Sequence, residues 1–355
     1  MAYPIRDSSF FGADRRLPLS SFVERIFSRS PRPTAALENN LREFVHIDEI
    51  LAHGHRALSD KSFFSSAAFD ELIDGLASVR AHAGAQEWAV AVSTIRRHPL
   101  LALLHQEDLM RRAYHAPPGS AGDVVRLSGM ADPESTTRPA EALTELGVRL
   151  RERLMALPLA QSMMNRTAIL ARAIDRTADT VAAGAEVLAI GCGDLAEARL
   201  SAAVGAGRMR RFVALDHDFQ ATEIVERAYG HARINAIHTP TYALLNGASN
   251  AFGRFDLIYS ASLLERLETR AAAQALGTMY SMLKPGGKIV VANLAPTVLE
   301  AGLIEAVMNW WPIYRDHGAL SDLGAEIAQT RGAGVKVTLE PGDNIYLLEL
   351  ICSCA

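Results

Sequence analysis

Residues 186–198 read EVLAIGCGDLAEA. Val187, Leu188, Ala189 and Ile190 form a short apolar run of the kind that makes a parallel strand buried on both faces. Gly191, Cys192 and Gly193 follow without a spacer, and glycines on either side of a tight turn let a ligand lie against bare backbone. Asp194 stands where a helix N-cap belongs, ahead of the helix-forming run from Leu195 to Leu200. Strand, glycine turn and helix start together build a nucleotide-binding corner. A dinucleotide fingerprint wants a third glycine at the sixth position, where this chain has Ala196. By itself the GxG also fits a turn made only for packing.

Three later stretches bear on that choice. Residues 211–218, RFVALDHD, are a second apolar strand ending in an acid. Asp216 lies 25 residues after Gly191, near the ~20-residue spacing of an acid that binds ribose hydroxyls. Residues 255–260, FDLIYS, are a third strand. Residues 282–294, MLKPGGKIVVANL, give a helix end, a Pro-Gly-Gly turn and a strong strand. A GxG turn, an acid-tipped strand, FDLIYS and LKPGG in this order resemble the class I S-adenosylmethionine (SAM)-dependent methyltransferases, from Glu186 to Leu350. The resemblance implies a doubly wound, mostly parallel seven-stranded α/β sheet of Rossmann-like type. It also implies SAM as cofactor and S-adenosylhomocysteine as product.

The chain has 355 residues, 49% of them hydrophobic, and a net charge of −4. That is room for two domains and a sizeable core. The Lys and Arg residues are scattered, so no electrostatic footprint for nucleic acid is present. No apolar window is long enough to span a membrane, and residues 1–33 lack a signal-peptide h-region. The three cysteines make no disulfide framework, which fits a reducing, cytoplasmic setting. Cys352 and Cys354 read as a frayed tail. His53 and His55 form an HxH pair without further ligands, so no metal site is expected.

Residues 1–32 read as an N-terminal arm closed by SRSPRP. Residues 33–137 read as an all-α domain, with helical periodicity through Leu37, Leu41, Phe44, Ile47 and Leu51 and again through Phe69, Leu72, Ile73 and Leu76. Within it, residues 112–130 are rich in Gly and Pro and form a connector or a lid. Residues 138–355 are the cofactor-binding domain. It opens with two helices, Arg166 falling just before the second, and continues with strands near 186–190, 211–216, 234–238, 254–260 and 287–293. The helices between are expected at 195–204, 219–229, 241–246, 269–283 and 299–309, with a closing hairpin around Pro341. HPLLALLHQED at 98–108, RAYHAPPGSAGD at 112–123 and NWWPIYRD at 309–316 resemble segments of the methyltransferases that make hydroxy fatty acid methyl ester signals in bacteria. Ser120, Pro118 and Asn309 depart from that pattern, which puts contacts at those points in question.

On the resemblance, Gly191, Cys192 and Gly193 face the cofactor, Asp216 accepts the ribose hydroxyls and His217 flanks the adenine. Ser260 and Asn293, at two strand ends, face the transferred methyl. Two readings are open to Arg166: a forked clamp on the methionyl carboxylate, or a surface arginine. Asn246 and Gly247 are either adenine contacts or exposed loop. Tyr314 and Arg315 are the catalytic candidates, with Tyr114, Asp123, Asn293 and Trp310 beside them on the acceptor side. Clustered aromatics are also ordinary core. A carboxylate acceptor needs no general base at neutral pH; a hydroxyl or amine does, and His317, Glu305 and His115 are the candidates. The expected reaction is methylation of a small carboxylate-bearing metabolite, such as the carboxyl of a hydroxy fatty acid. The alternatives are S-methylation of a thioether amino acid such as methionine, a SAM-binding protein without catalysis, and an NAD-binding protein. The missing third glycine and LKPGG argue against the last. The helical domain is free to pair with a second copy or to cap the site.

Overall fold

Strand β1 (Ala185–Ile190) lies at the centre of the molecule because it is apolar on both faces. The computed structural model describes residues 35–59, 66–116, 144–240 and 252–353, and side chains from residue 46 onward. Parallel neighbours flank β1 on either side: β2 (Met209–Asp216) and β4 (Phe255–Ser260). With β3 (Ile234–His238), β5 (Leu283–Leu294), β6 (Gly334–Leu339) and β7 (Ile345–Ile351) they form one seven-stranded sheet of order β3-β2-β1-β4-β5-β7-β6. Only β7 runs antiparallel to its neighbours. This is the methyltransferase Rossmann-like fold. The order reverses at β1, so a crevice opens beyond the carboxyl ends of β1 and β4.

Side chains alternate between the faces of the sheet, as a period of two requires. Leu188, Ile190, Val213, Leu215, Ile258 and Ile289 pack beneath α11 (Thr269–Ser281) and α13 (His317–Arg331). Val187, Ala189, Phe212, Leu257, Tyr259 and Val290 face the other way. There they meet α7 (Pro158–Thr180) and the preceding helices α1 (Ala35–Ser59), α2 (Ser66–His82), α3 (Ala85–Arg97), α4 (Leu100–Leu104), α5 (Asp108–His115) and α6 (Glu145–Met155). One continuous apolar core runs from Ile47 on α1 through the sheet to Leu347 on β7. Helix α12 (Ala301–Ala306) joins the two parts. Gly302 lets it approach α2 so closely that a Cβ there would stand 2.8 Å from the Leu76 carbonyl oxygen.

Several local expectations change. The helix after the glycine turn is two short pieces, α8 (Ala196–Leu200) and α9 (Ala202–Gly205), because Ser201 turns extended and caps the second through Val204 N–H at 3.2 Å. Asp194 is not the N-cap: Leu195 holds that place in the left-handed region, with φ 57° and no side-chain cap. The 299–309 helix is shorter, and Asn309 has φ 52°. Strand β5 begins at Leu283, inside LKPGG, with a register shift against β4 and Gly286 at φ 73°. Cys352 is no frayed tail: it is buried and exchanges backbone hydrogen bonds with Gly286 and Gly287. Arg166 lies inside α7 instead of ahead of it. The arm 1–32, most of the 112–130 loop, the 137/138 boundary and the 241–246 helix fall outside the described residues.

Candidate active site

The chain bends sharply where β1 ends. The backbone N–H groups of Gly191 and Cys192 both donate to the Leu215 carbonyl at 2.8 and 3.0 Å, which holds the bend against the tip of β2. Gly191 and Gly193 have φ of 65° and 59°, a region that side chains with a Cβ adopt at a cost. A Cβ built on Gly191 meets nothing closer than Ser260 Oγ at 3.9 Å, so open space lies over the bend.

Asp216 comes from the neighbouring strand tip and closes on that bend. Its Oδ2 accepts from Gly193 N–H at 2.9 Å, and its Oδ1 accepts from Asp218 N–H at 2.9 Å. His217 Nδ1 lies 3.2 Å from the same Oδ1. Burial alone would raise the Asp216 carboxyl, but hydrogen bonds from His217, Gly193 and Asp218 outweigh it and hold the group below its ordinary 3.8. It is therefore a carboxylate at neutral pH. Three of its roughly four acceptor positions are used, leaving one on Oδ2. His217 Nε2 is buried and has no hydrogen-bond partner among the described residues. Asp218 turns outward and caps α10 (Phe219–Tyr229) through Gln220 N–H at 2.6 Å. Cys192 is buried beside Asp216 and Glu197, and burial with those charges pushes its thiol well up, so it stays neutral.

Arg166 reaches the same crevice from α7. It is 3% exposed, with Nη1 donating to the Ala261 carbonyl just past β4 at 3.2 Å. Burial lowers its pKa, opposed by the carboxylates of Glu265 and Glu197. Its Nε is buried without a partner among the described residues. A surface arginine is thereby ruled out. Glu197 itself, one turn past the bend, accepts from Tyr259 Oη at 2.7 Å. Sequence reading passed over Glu197 and Tyr259. The available signal was a carboxylate among apolar and small residues directly after the glycine turn.

The remaining candidates have other roles. Ser260 Oγ donates to the Ile190 carbonyl at 2.6 Å and accepts from Leu263 N–H at 3.2 Å, so it ties β4 to β1. Asn293 is fully buried; its Nδ2 donates to the Leu294 and Ile313 carbonyls at 2.9 Å each. Arg315 is 4% exposed. Its Nη1 donates to Leu264 O at 2.5 Å and Asn293 Oδ1 at 3.0 Å, and its Nη2 to Leu267 O. Its fork is spent on strapping the loop after β4 to the end of β5. Tyr314 donates to Glu305 Oε1 at 2.9 Å, and burial first, with Glu305 second, holds its phenol far above the usual range. Glu305 also accepts from Arg80 Nε and Nη2 on Oε1 and from Trp88 Nε1 on Oε2, four donated hydrogen bonds in all with Tyr314. His317 sits at the start of α13 against Tyr346, with Ser321 Oγ at 3.3 Å from its Nδ1. Trp310 is core.

Tyr114 and Trp311 stand together on a different cation. Arg96 lies 5.3 Å from the Tyr114 ring centre and 5.9 Å from that of Trp311. It is anchored through Ala306 O, Glu305 O and Asn309 Oδ1. Trp311 is 49% exposed. His105 and His115 pack against Tyr114, at ring separations of 4.8 and 5.1 Å. Asp123, Asn246 and Gly247 lie outside the described residues. Among the described residues, no helix is long and apolar enough to cross a membrane, and no three His, Cys, Asp or Glu side chains gather as a metal site.

Residues 164–325 match the family model of a methyltransferase domain. No curated protein matches the chain in sequence. Among solved structures, the chain is similar to a possible exported protein from Bordetella parapertussis, at 15% identity and TM-score 0.48, over 78% of this chain and 99% of that one. It is also similar to magnesium protoporphyrin IX methyltransferase from Synechocystis with bound S-adenosylhomocysteine, at 11% identity and TM-score 0.42, over 66% and 100%. A third likeness is the N-methyltransferase NodS from Bradyrhizobium japonicum in complex with S-adenosylhomocysteine, at 18% identity and TM-score 0.37, over 51% and 85%. All three are distant.

Proposed function

We propose, for a chain whose residues 164–325 form a SAM-dependent methyltransferase domain, that the acceptor is a small metabolite methylated on its carboxylate, with hydroxy fatty acids as the leading class. The observation that carries the cofactor half is the closure of Asp216 on the Gly193 amide at 2.9 Å, beneath open space. When bound, SAM supplies a methyl group already activated on a sulfonium. The chain's part is to hold that methyl in line with the incoming oxygen and to exclude water.

In this reading the bare backbone at Gly191 and Gly193 admits the methionyl and ribose portions. Asp216 Oδ2 accepts one ribose hydroxyl on its remaining lone pair. His217, with Nδ1–H turned to Asp216, offers Nε2 as an acceptor to the adenosyl group. The unpartnered Nε of Arg166 and the guanidinium around it take the methionyl carboxylate. Ser260, Asn293 and Arg315 act as positioning residues that fix the strand tips.

The acceptor half rests on the resemblance of 98–123 and 309–316, and on the state of the candidate bases. Of the three candidate bases, two are engaged elsewhere: Glu305 accepts four donated hydrogen bonds and His317 is held on α13, while His115 packs edge-on against the Tyr114 ring. That supports an acceptor that is nucleophilic without deprotonation, as a carboxylate is at neutral pH. Arg315 turns both Nη atoms to protein acceptors, whereas Arg96 is anchored through Nε and Nη2 and its Nη1 makes no hydrogen bond among the described residues, so we assign the acceptor's charge to Arg96, between the Tyr114 and Trp311 rings.

The test is incubation of purified protein with deuterated-methyl SAM and, in parallel, a hydroxy fatty acid or methionine. A labelled, base-labile product that extracts into organic solvent is the expected result, with the KM for the acid raised in Arg96→Ala. Label confined to a water-soluble sulfonium would replace this reading with thioether methylation.

A further inference from the structure

The opposite end of the sheet carries a second recess. Glu186, Arg210, Arg211, Arg254 and Lys284 line a cavity of about 550 Å³, a volume within the range of small-ligand sites. These residues stand at the amino ends of β1, β2, β4 and β5. Glu186 precedes Gly191 by five residues of strand, roughly 16 Å at 3.3 Å per residue, so this is not the cofactor crevice.

The charges in the recess do not balance. Arg211 Nη2 lies 2.6 Å from Glu186 Oε2, and its Nη1 donates to the Phe252 carbonyl at 2.6 Å. Its guanidinium is further fixed over the Phe255 ring, 4.3 Å from the centre. Lys284 Nζ lies 2.8 Å from Asp256 Oδ2 and 3.2 Å from Glu186 Oε1. Those two cations answer the two carboxylates. Arg210 then has only the far side of Glu186, at 3.6 Å, and its side chain is 64% exposed. The Arg254 side chain has no hydrogen bond or ion pair among the described residues. Among the described residues the recess thus sets four cations against the two carboxylates Glu186 and Asp256, in a protein whose net charge is −4.

We propose that this recess binds a small phosphate-bearing anion, separately from the methyl donor. Guanidinium forks match the oxygens of a phosphate two at a time, and an ammonium beside them adds a compact charge. Arg211 and Lys284 are held in place by Glu186 and Asp256, so their orientation is set before a ligand arrives. Arg210 and Arg254 supply the free charge that it meets.

Calorimetric titration of the full chain with inorganic pyrophosphate tests this, at fixed ionic strength and with saturating S-adenosylhomocysteine. Saturable binding is expected. Arg254→Ala should weaken it about tenfold, and Arg210→Ala with Arg254→Ala about a hundredfold, since a charge-assisted hydrogen bond is worth about one to two decades of affinity. Melting temperature and S-adenosylhomocysteine affinity should not change in either variant. If the double variant fails to fold, the single variant decides, because its side chain supports nothing described. The proposal is overturned by the absence of saturable heat, by unchanged pyrophosphate affinity in the variants, or by citrate binding more tightly than pyrophosphate.

Discussion

At the scale of single residues, the bend joins two opposite uses of backbone strain. Gly191 takes φ 65° at little cost and leaves space above itself. Leu195, four residues on, takes φ 57° with a side chain, at about 1–2 kcal/mol. It is fully buried, and burial worth about 2 kcal/mol offsets that strain. Gly191→Ala should therefore lose about 1 kcal/mol in urea unfolding and lose S-adenosylhomocysteine binding far more completely, because its methyl occupies the ligand's space. A protein that binds normally despite the methyl would remove the bend from the site. Asp216 gives a second prediction. Its folded-state pKa is depressed below 3.8, so its stabilisation is complete above that value and is lost as pH falls through the lower, folded value. Asp216→Asn should melt below the wild type at neutral pH, and the two melting temperatures should converge as the pH is taken from about 5 toward 3. At neutral pH the variant should bind S-adenosylhomocysteine about ten- to a hundredfold more weakly.

At the scale of elements, the meeting of α12 with α2 sets how the helical layer sits on the sheet. Any Cβ at Gly302 would stand 2.8 Å from Leu76 O and 2.9 Å from its carbonyl carbon, both of them backbone atoms that cannot swing aside. Gly302→Ala should cost about 1–3 kcal/mol as the helices separate, seen as a lower urea midpoint with an unchanged slope. Nothing in the sequence marks this glycine, whereas the strands were legible from composition alone. Residues 187–190, 212–215 and 257–259 are apolar without alternation because helices cover both faces of the sheet. The same reading failed at Arg315. Its partners are the carbonyls of Leu264 and Leu267, 51 and 48 residues away, and such pairings leave no periodic trace. The contact between Asp216 and Gly193 was legible because Gly193 belongs to a local motif of fixed spacing. Glu305 was weighed as a base because a lone carboxylate in sequence does not display its donors, Arg80 on α2, Trp88 on α3 and Tyr314 on the irregular stretch before α13.

At the scale of the molecule, the sequence suggests a helical domain beside a cofactor-binding domain, yet the apolar core does not divide between them. Ile47, Phe69, Leu72 and Trp88 belong to the same buried cluster as Val187, Phe212, Tyr259 and Leu347. The polar contacts run the same way: Arg80 and Trp88 end on Glu305, and Arg96 on the carbonyls of Glu305 and Ala306. Without the helical layer, the face of the sheet carrying Val187, Leu257 and Val290 would lose part of its cover, and Glu305 would keep one of its four donated bonds. A buried carboxylate stripped of its partners costs about 3–5 kcal/mol, a large share of the ~5–15 kcal/mol that holds a domain folded. The two parts should therefore unfold together. Trp88 reports on the helical layer, while Trp310 and Trp311 lie on the segment that follows β5 and α12, so a Trp88→Phe variant separates the two fluorescence signals. Within each protein, thermal transitions followed by calorimetry, by far-ultraviolet dichroism and by fluorescence should coincide within error, with the Trp88→Phe variant melting lower because Glu305 loses a donor. The fragment 144–355 should bind hydrophobic dye and show no cooperative transition. Two resolved transitions in the whole chain, or a fragment that melts sharply and binds S-adenosylhomocysteine, would show that the sheet keeps its own core.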